Sequence, residues 1–264
     1  MVGQSSTKQA TAAAPGSVAP GAGYEGAARL LDAPNVSNPG PAWALGKENK
    51  QLRYPDWFEG TWEVQWTLRD VQNPRGRKYI TRNTPGVTKG SMAAGVPDIG
   101  AGQGVVTFRQ RFVREDKPPG GVVLDRPFSV ASTMDAHLGP NTARSVAYDP
   151  AADPTRLAVV YATPRRDGGT DLRKAEIFVN NRGGGSSGET FAWFEAYRQV
   201  SQAARQGGVG DYLMAQEWTR GSDGGSARGR LRCASFLQPQ DALYFEVGND
   251  AVGLYDYDVA ARKL

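Results

Sequence analysis

The sequence predicts an all-β fold, an antiparallel sandwich or barrel. Three observations carry that expectation. First, Thr61-Trp62-Glu63-Val64-Gln65-Trp66-Thr67-Leu68 alternates, with Trp62, Val64, Trp66 and Leu68 on one side and polar residues on the other. That period of two belongs to a strand with one buried face. Second, Val105 to Arg114 repeats the pattern, with Val106, Phe108 and Phe112 opposite Thr107, Arg109 and Arg111. Third, Gly- and Asp-rich turn signals punctuate the second half of the chain, as in Asp167-Gly168-Gly169, Gln206-Gly207-Gly208, Ser222-Asp223-Gly224-Gly225 and Gly248-Asn249-Asp250.

Taken in order, the chain opens with a segment unlike the rest. Residues 1–50 contain 11 Ala, 7 Gly and 5 Pro and only two aromatics, Tyr24 and Trp43, with no sustained period. Such a composition buries too little apolar surface to offset its ordering entropy, so the segment is expected to be a disordered tail with a short helical turn near Gly26 to Leu31. Its hydroxyl content and lack of acidic residues before Glu25 suit a targeting remnant. The folded domain is expected over 54–262. Beyond the two strands above, further strands are expected at Arg156–Ala162, Leu172–Asn180, Thr190–Val200, Tyr212–Thr219, Gly229–Phe236, Leu243–Val247 and Val252–Val259. One helix is expected, Ser129 to Leu138, between Pro127 and Gly139. The run Gly183 to Gly188 lacks the Gly-Lys-Ser/Thr ending of a phosphate loop and reads as a flexible hairpin connection.

Composition removes several chemistries. The chain of 264 residues has one His, His137, and one Cys, Cys233. A structural zinc site takes about four Cys or His ligands, so no Cys/His metal site is expected and no cofactor is identified. An intramolecular disulfide is impossible. The net charge of +4 is spread over small groups such as Arg75, Arg77 and Lys78, or Arg228, Arg230 and Arg232, so no nucleic-acid face is expected. No stretch approaches the ~20 apolar residues of a transmembrane helix.

Tyr54-Pro55-Asp56-Trp57-Phe58-Glu59-Gly60-Thr61-Trp62 is the most distinctive motif. A Gly two residues before a Trp at the opening of the first strand resembles the calycin signature of lipocalin-type barrels. There the Trp closes one barrel end beneath a basic residue from a late strand. The resemblance places Gly60 and Trp62 in the barrel-closing motif and offers Arg220, Arg232 and Arg262 as the basic partner. The same run also resembles the opening of the plastid and cyanobacterial domain-of-unknown-function family numbered 6816. Asp125-Arg126-Pro127-Phe128, Tyr148-Asp149-Pro150-Ala151-Ala152-Asp153-Pro154-Thr155-Arg156 and Ala251-Val252-Gly253-Leu254-Tyr255-Asp256-Tyr257 are similar to its later segments. This resemblance implies a chloroplast location, with the thylakoid lumen as one compartment, and brings no catalytic residue. The fold expected is therefore a single calycin-like antiparallel barrel with a short helix, preceded by the tail.

Trp62, Trp66, Phe108, Phe112, Trp193, Tyr197, Trp218 and Phe245 are expected to line the interior. A hollow barrel lined in this way suits a small lipophilic ligand such as a pigment, tetrapyrrole, lipid or quinone. A filled one suits an assembly or scaffold factor for a photosynthetic complex. A third reading is an enzyme using Asp256, Asp258 or Glu195 as acid–base groups; the balance of the sequence leans against an enzyme. His137 is expected to cap its helix or lie exposed, and Cys233 to be a small buried hydrophobe.

Overall fold

A computed structural model describes residues 16–45, 49–94, 104–116, 120–164, 168–202 and 207–264. In chain order the elements are β1 (Ser17–Val18), α1 (Gly23–Ala28), β2 (Asn35–Val36), β3 (Gly60–Gln72), β4 (Val105–Glu115), β5 (Gly121–Leu124), α2 (Arg126–Leu138), β6 (Ala143–Tyr148), β7 (Arg156–Pro164), β8 (Thr170–Ser187), β9 (Thr190–Gln202), β10 (Gly208–Arg220), β11 (Ser226–Phe236), α3 (Tyr244–Val247) and β12 (Gly253–Lys263).

Ten strands form one antiparallel sheet in the order β5-β4-β3-β12-β11-β10-β9-β8-β7-β6, curled into a half-barrel. From β6 to β12 each strand pairs with its sequence neighbour, a run of hairpins. β12 then pairs with β3, joining the two ends of the domain. The edge strands β5 and β6 flank α2 in sequence, and α2 packs against both β4 and β6 across the mouth of the curl. Its start is set by Asp125, whose carboxylate accepts from the Phe128 N–H at 3.1 Å, and by Pro127 in the first turn. The helix also finishes the exposed ladder of β4: the N–H groups of Arg109 and Arg111 donate to the hydroxyls of Ser132 and Ser129 at 2.9 and 3.1 Å. Two serines thus take the place of a missing strand, leaving fewer unpaired edge groups.

The main core lies inside the curl, where the alternation predicted for β3 holds: Trp62, Val64 and Trp66 are all buried there. Tyr54, Phe58 and Phe112 meet at ring-centroid distances of 4.9–5.3 Å, and Trp66 stands edge-on to Phe108 at 4.6 Å. A second core lies on the outer face of the sheet. There Ala192, Phe194, Ala196, Leu213, Ala215, Ala234 and Phe236 are covered by Ala27, Leu30, Leu31 and Val36.

That second core corrects the expectation of a disordered tail: residues 16–45 are ordered, with Leu30 and Val36 fully buried. Residues 1–15, to which the targeting reading also extends, lie outside the described residues. The small side chains that made the segment look unstructured let it lie close. A methyl group on Gly185 would come within 2.8 Å of the Tyr24 backbone nitrogen, so the Gly183–Gly185 run is a bed for α1, within a strand that ends only at Ser187. The segment is then fastened by charge. Arg232 donates to the carbonyls of Leu30 and Ala33 at 3.1 and 2.5 Å while holding Asp256 through two bonds. Arg230 pairs with Asp32 at 2.6 Å.

The expected strand Leu243–Val247 is replaced by the short helix α3, Tyr244–Val247, with Leu243 at its N-cap. Leu243, Phe245 and Val247 have the spacing of a strand face, but Leu243 and Val247 are also four apart and share a helix face against Tyr79 and Val252. Phe245 is consequently 78% exposed, which removes it from the interior. β5 and β6 were not expected. β5 is four residues with both central valines buried, so it shows no alternation, and β6 is a short edge strand of which no residue is fully buried.

Candidate functional site

Seven of the eight residues expected inside are buried in the main core: Trp62, Trp66, Phe108, Phe112, Trp193, Tyr197 and Trp218. Gly60 and Trp62 sit at the start of β3. Gly60 adopts φ +120°, a region that a side chain strains, and a methyl group there would come within 2.8 Å of the Lys263 side chain. The Lys263 ammonium lies 5.7 Å from the centre of the Trp62 ring, and the Trp62 indole N–H donates to the Phe58 carbonyl at 2.7 Å. The basic residue that β12 places beside Trp62 is Lys263, which was not among the expected candidates. Arg220, Arg232 and Arg262 are engaged elsewhere, with Glu189, Asp256 and Glu63.

At the centre of the curl sits a charged cluster that joins Glu195 and Tyr197, both singled out in the sequence, to Arg126 and Arg182. Arg126, in the first turn of α2, places Nη2 at 2.5 Å from Glu195 Oε1. The Tyr197 hydroxyl donates to Glu195 Oε2. Arg182 Nη1 lies 3.5 Å from Glu195 Oε1, while its other nitrogens donate to Asn49 Oδ1 at 2.8 Å and to the Pro154 carbonyl at 2.7 Å. The side chains of Arg126, Arg182 and Glu195 are 4%, 3% and 1% exposed.

A register shift makes this meeting possible. On β8, Val179 faces Tyr197, but the bulge before Asn181 sets Arg182 opposite Glu195. The extra residue flips the parity of the strand, so Arg182 turns inward where simple alternation would send it out. The nearest sequence signal was the motif Asp125-Arg126-Pro127-Phe128; nothing local marks Arg182.

Burial alone would raise the Glu195 carboxyl, but the Arg126 and Arg182 charges outweigh it and hold it below the usual range. Tyr197 is pushed well above its usual value by burial and by the Glu195 charge beside it. Glu195 is thus ionised and fully engaged, and Tyr197 is neutral. Neither is poised near neutrality for proton transfer. Asp256 and Asp258 are on the outer face, paired with Arg232 and Arg69. Among the described residues no cluster of His, Cys, Asp and Glu is arranged to hold a metal ion. His137 lies in the last turn of α2 and is buried, which corrects the exposed alternative; Cys233 is buried as expected, its thiol pushed up by burial.

The cluster borders a cavity of about 30 Å³ whose wall includes Trp66, Trp193, Gln216, Arg126, Glu195 and Tyr197. A larger recess, about 500 Å³, opens elsewhere and carries Arg82, Lys89, Asp171 and Arg173 in its wall. No described helix is long and apolar enough to cross a membrane.

A family model described as a domain of unknown function (DUF6816) matches residues 46–264. No curated protein and no solved structure matches the chain.

Proposed function

The chain belongs to the DUF6816 family, and on that premise we propose that it is a non-enzymatic docking protein, a calycin-like barrel filled by its own side chains that works from its surface in the assembly of a protein complex. One observation carries this reading: the cavity among the aromatic side chains of the main core is about 30 Å³, whereas small-molecule sites run to ~300–1,000 Å³, and the recess of about 500 Å³ has a charged wall that includes Arg82, Lys89, Asp171 and Arg173. A pigment or tetrapyrrole would have to displace the aromatic core. The Gly60, Trp62 and Lys263 arrangement supports the calycin-like part, with α2 closing the curl. The chloroplast location and a photosynthetic complex as partner belong to the same proposal and rest on the family resemblance. Phe245 supports a working surface. It is 78% exposed beside Tyr244, and the exposed Arg77 and Lys78 lie on the neighbouring turn. Aromatic and Arg side chains are the ones enriched at protein interfaces.

The test is native mass spectrometry and crosslinking of the protein from its own organism. The expected result is the mass of the chain without a small molecule, and crosslinks from Lys78 to one partner that fall at least tenfold in Phe245→Ala. A bound small mass with pigment absorbance that survives gel filtration would overturn the proposal in favour of a lipophilic-ligand carrier.

A further inference from the structure

The cavity beside the Arg126–Glu195 pair is small, but its wall is chemically one-sided. Four buried groups belonging to that wall find no hydrogen-bond partner among the described residues: Trp66 Nε1, Trp193 Nε1, Gln216 Nε2 and Arg126 Nε. Their residues are 2%, 6%, 1% and 3% exposed, so bulk water does not serve them. All four atoms are N–H donors, and neither an indole nor a guanidinium can accept. They come from β3, β9, β10 and the first turn of α2, and Gln216 and Trp193 are direct cross-strand neighbours. A buried donor left unmet costs ~1–3 kcal/mol, so four around one space form a strong demand for an acceptor.

Charge points the same way. Two buried guanidiniums, Arg126 and Arg182, share the single carboxylate of Glu195. Glu195 also stands in the cavity wall, but its Oε1 accepts from Arg126 Nη2 and its Oε2 from the Tyr197 hydroxyl, with Arg182 Nη1 in ion-pair range at 3.5 Å. The cluster therefore carries one positive charge more than it balances, in a place where unbalanced charge is expensive. A cavity of about 30 Å³ exceeds the ~10–15 Å³ that one water needs, and so admits one small guest. A water accepts only two hydrogen bonds and brings two donors of its own to a donor-rich wall. A monovalent anion can accept from all four and supplies the missing charge.

We propose that this interior cavity is a binding site for one small monovalent anion, of the size of chloride or formate, held by the Trp66 and Trp193 indoles, the Gln216 amide and Arg126. The site goes beyond the docking reading and does not depend on it.

The test uses the full chain, exchanged into a buffer whose anion is gluconate, which is too large for the cavity. Chloride and formate are then titrated at constant ionic strength while the melting temperature and tryptophan fluorescence are followed. The expected result is a saturable rise of about 5–10 °C at a hundredfold excess over Kd, with a matching fluorescence change. Gln216→Met removes two donors at similar volume and is expected to weaken binding at least tenfold; Trp193→Phe provides the same comparison should the first variant fail to fold. Crystals grown with bromide should show an anomalous peak within hydrogen-bond reach of Trp193 Nε1 and Gln216 Nε2. A rise that is linear in salt and equal for gluconate, unchanged affinity in a folded variant, or a cavity with density but no bromide signal would each overturn the proposal.

Discussion

Replacing Glu195 by Gln keeps the volume of the side chain and removes only its charge. The wild-type carboxylate answers Arg126 at 2.5 Å, Arg182 at 3.5 Å and the Tyr197 hydroxyl, all inside the curl. Glu195→Gln leaves two buried guanidiniums without their carboxylate. Breaking a buried pair in this way costs about 3–5 kcal/mol. With a urea m-value of roughly 3 kcal/mol/M, the unfolding midpoint should fall by about 1–1.7 M. The pH dependence adds a second check. The folded-state pKa of Glu195 is lowered, so its stabilisation is present above the ordinary Glu value and is lost as pH falls through the lowered one. The gap between wild type and Glu195→Gln should therefore be widest near pH 7, begin to narrow below about pH 4, the ordinary Glu value, and close only once pH has fallen through the lowered folded-state value. The double variant Glu195→Gln/Arg126→Met should recover part of the loss, because it removes one of the stranded charges. A single variant within about 1 kcal/mol of wild type at pH 7, or a gap that does not change with pH, would refute the reading of this cluster as a buried, charge-balancing hub.

Further outcomes follow from the same coordinates. Gly60→Ala should cost about 1–3 kcal/mol through its φ of +120°, and most of that loss should persist in a Lys263→Ala background, since the strain lies in the backbone; thermal melts compare the two. Lys263→Ala alone should cost only about 0.5–1 kcal/mol, the scale of an exposed cation over an indole. Gly185→Val should lift α1 from β8, so that limited proteolysis cuts within residues 16–45 while the rest of the domain keeps its melting transition. Cys233 should resist a thiol reagent at pH 8 in the native protein and react only as fast as the domain opens, because burial holds the thiol protonated.

Strand periodicity carried far in this chain. Trp62, Val64 and Trp66 face inward as their alternation requires, and Gly139 ends the helix as expected, though the helix starts at Arg126, with Pro127 inside its first turn and not before it. Two kinds of information were not local. Phe245 has a spacing that fits a strand face and a helix equally, and only the packing of Leu243 and Val247 against Tyr79 and Val252 decides between them. Arg182 depends on a bulge, and a bulge leaves no periodic mark because it is a break in period. The ordered N-terminal segment did leave a trace. Phe191 to Tyr197 is apolar at nearly every position, the pattern of a strand covered on both faces, and some other part of the chain had to supply the second cover. Of the candidate site, the aromatic wall was legible, but the meeting of Arg126 from α2 with Glu195 from β9 across 69 residues was not.

The pairing of β12 with β3 has a consequence in time. Arg262 and Glu63, neighbours on those strands, are 199 residues apart in the chain. The hairpins from β6 to β11 can form one after another as they are made, each from local sequence. β3 and β4 cannot join them until β12 exists, because β12 is the strand that links the two groups. Loop-closure entropy makes such distant pairings slow. For nearly the whole of synthesis the apolar side of β3, with Trp62 and Trp66, is therefore made but unburied. Apolar surface left open in this way is what makes a partly folded chain prone to aggregate, so β12 is the strand whose pairing removes that exposure.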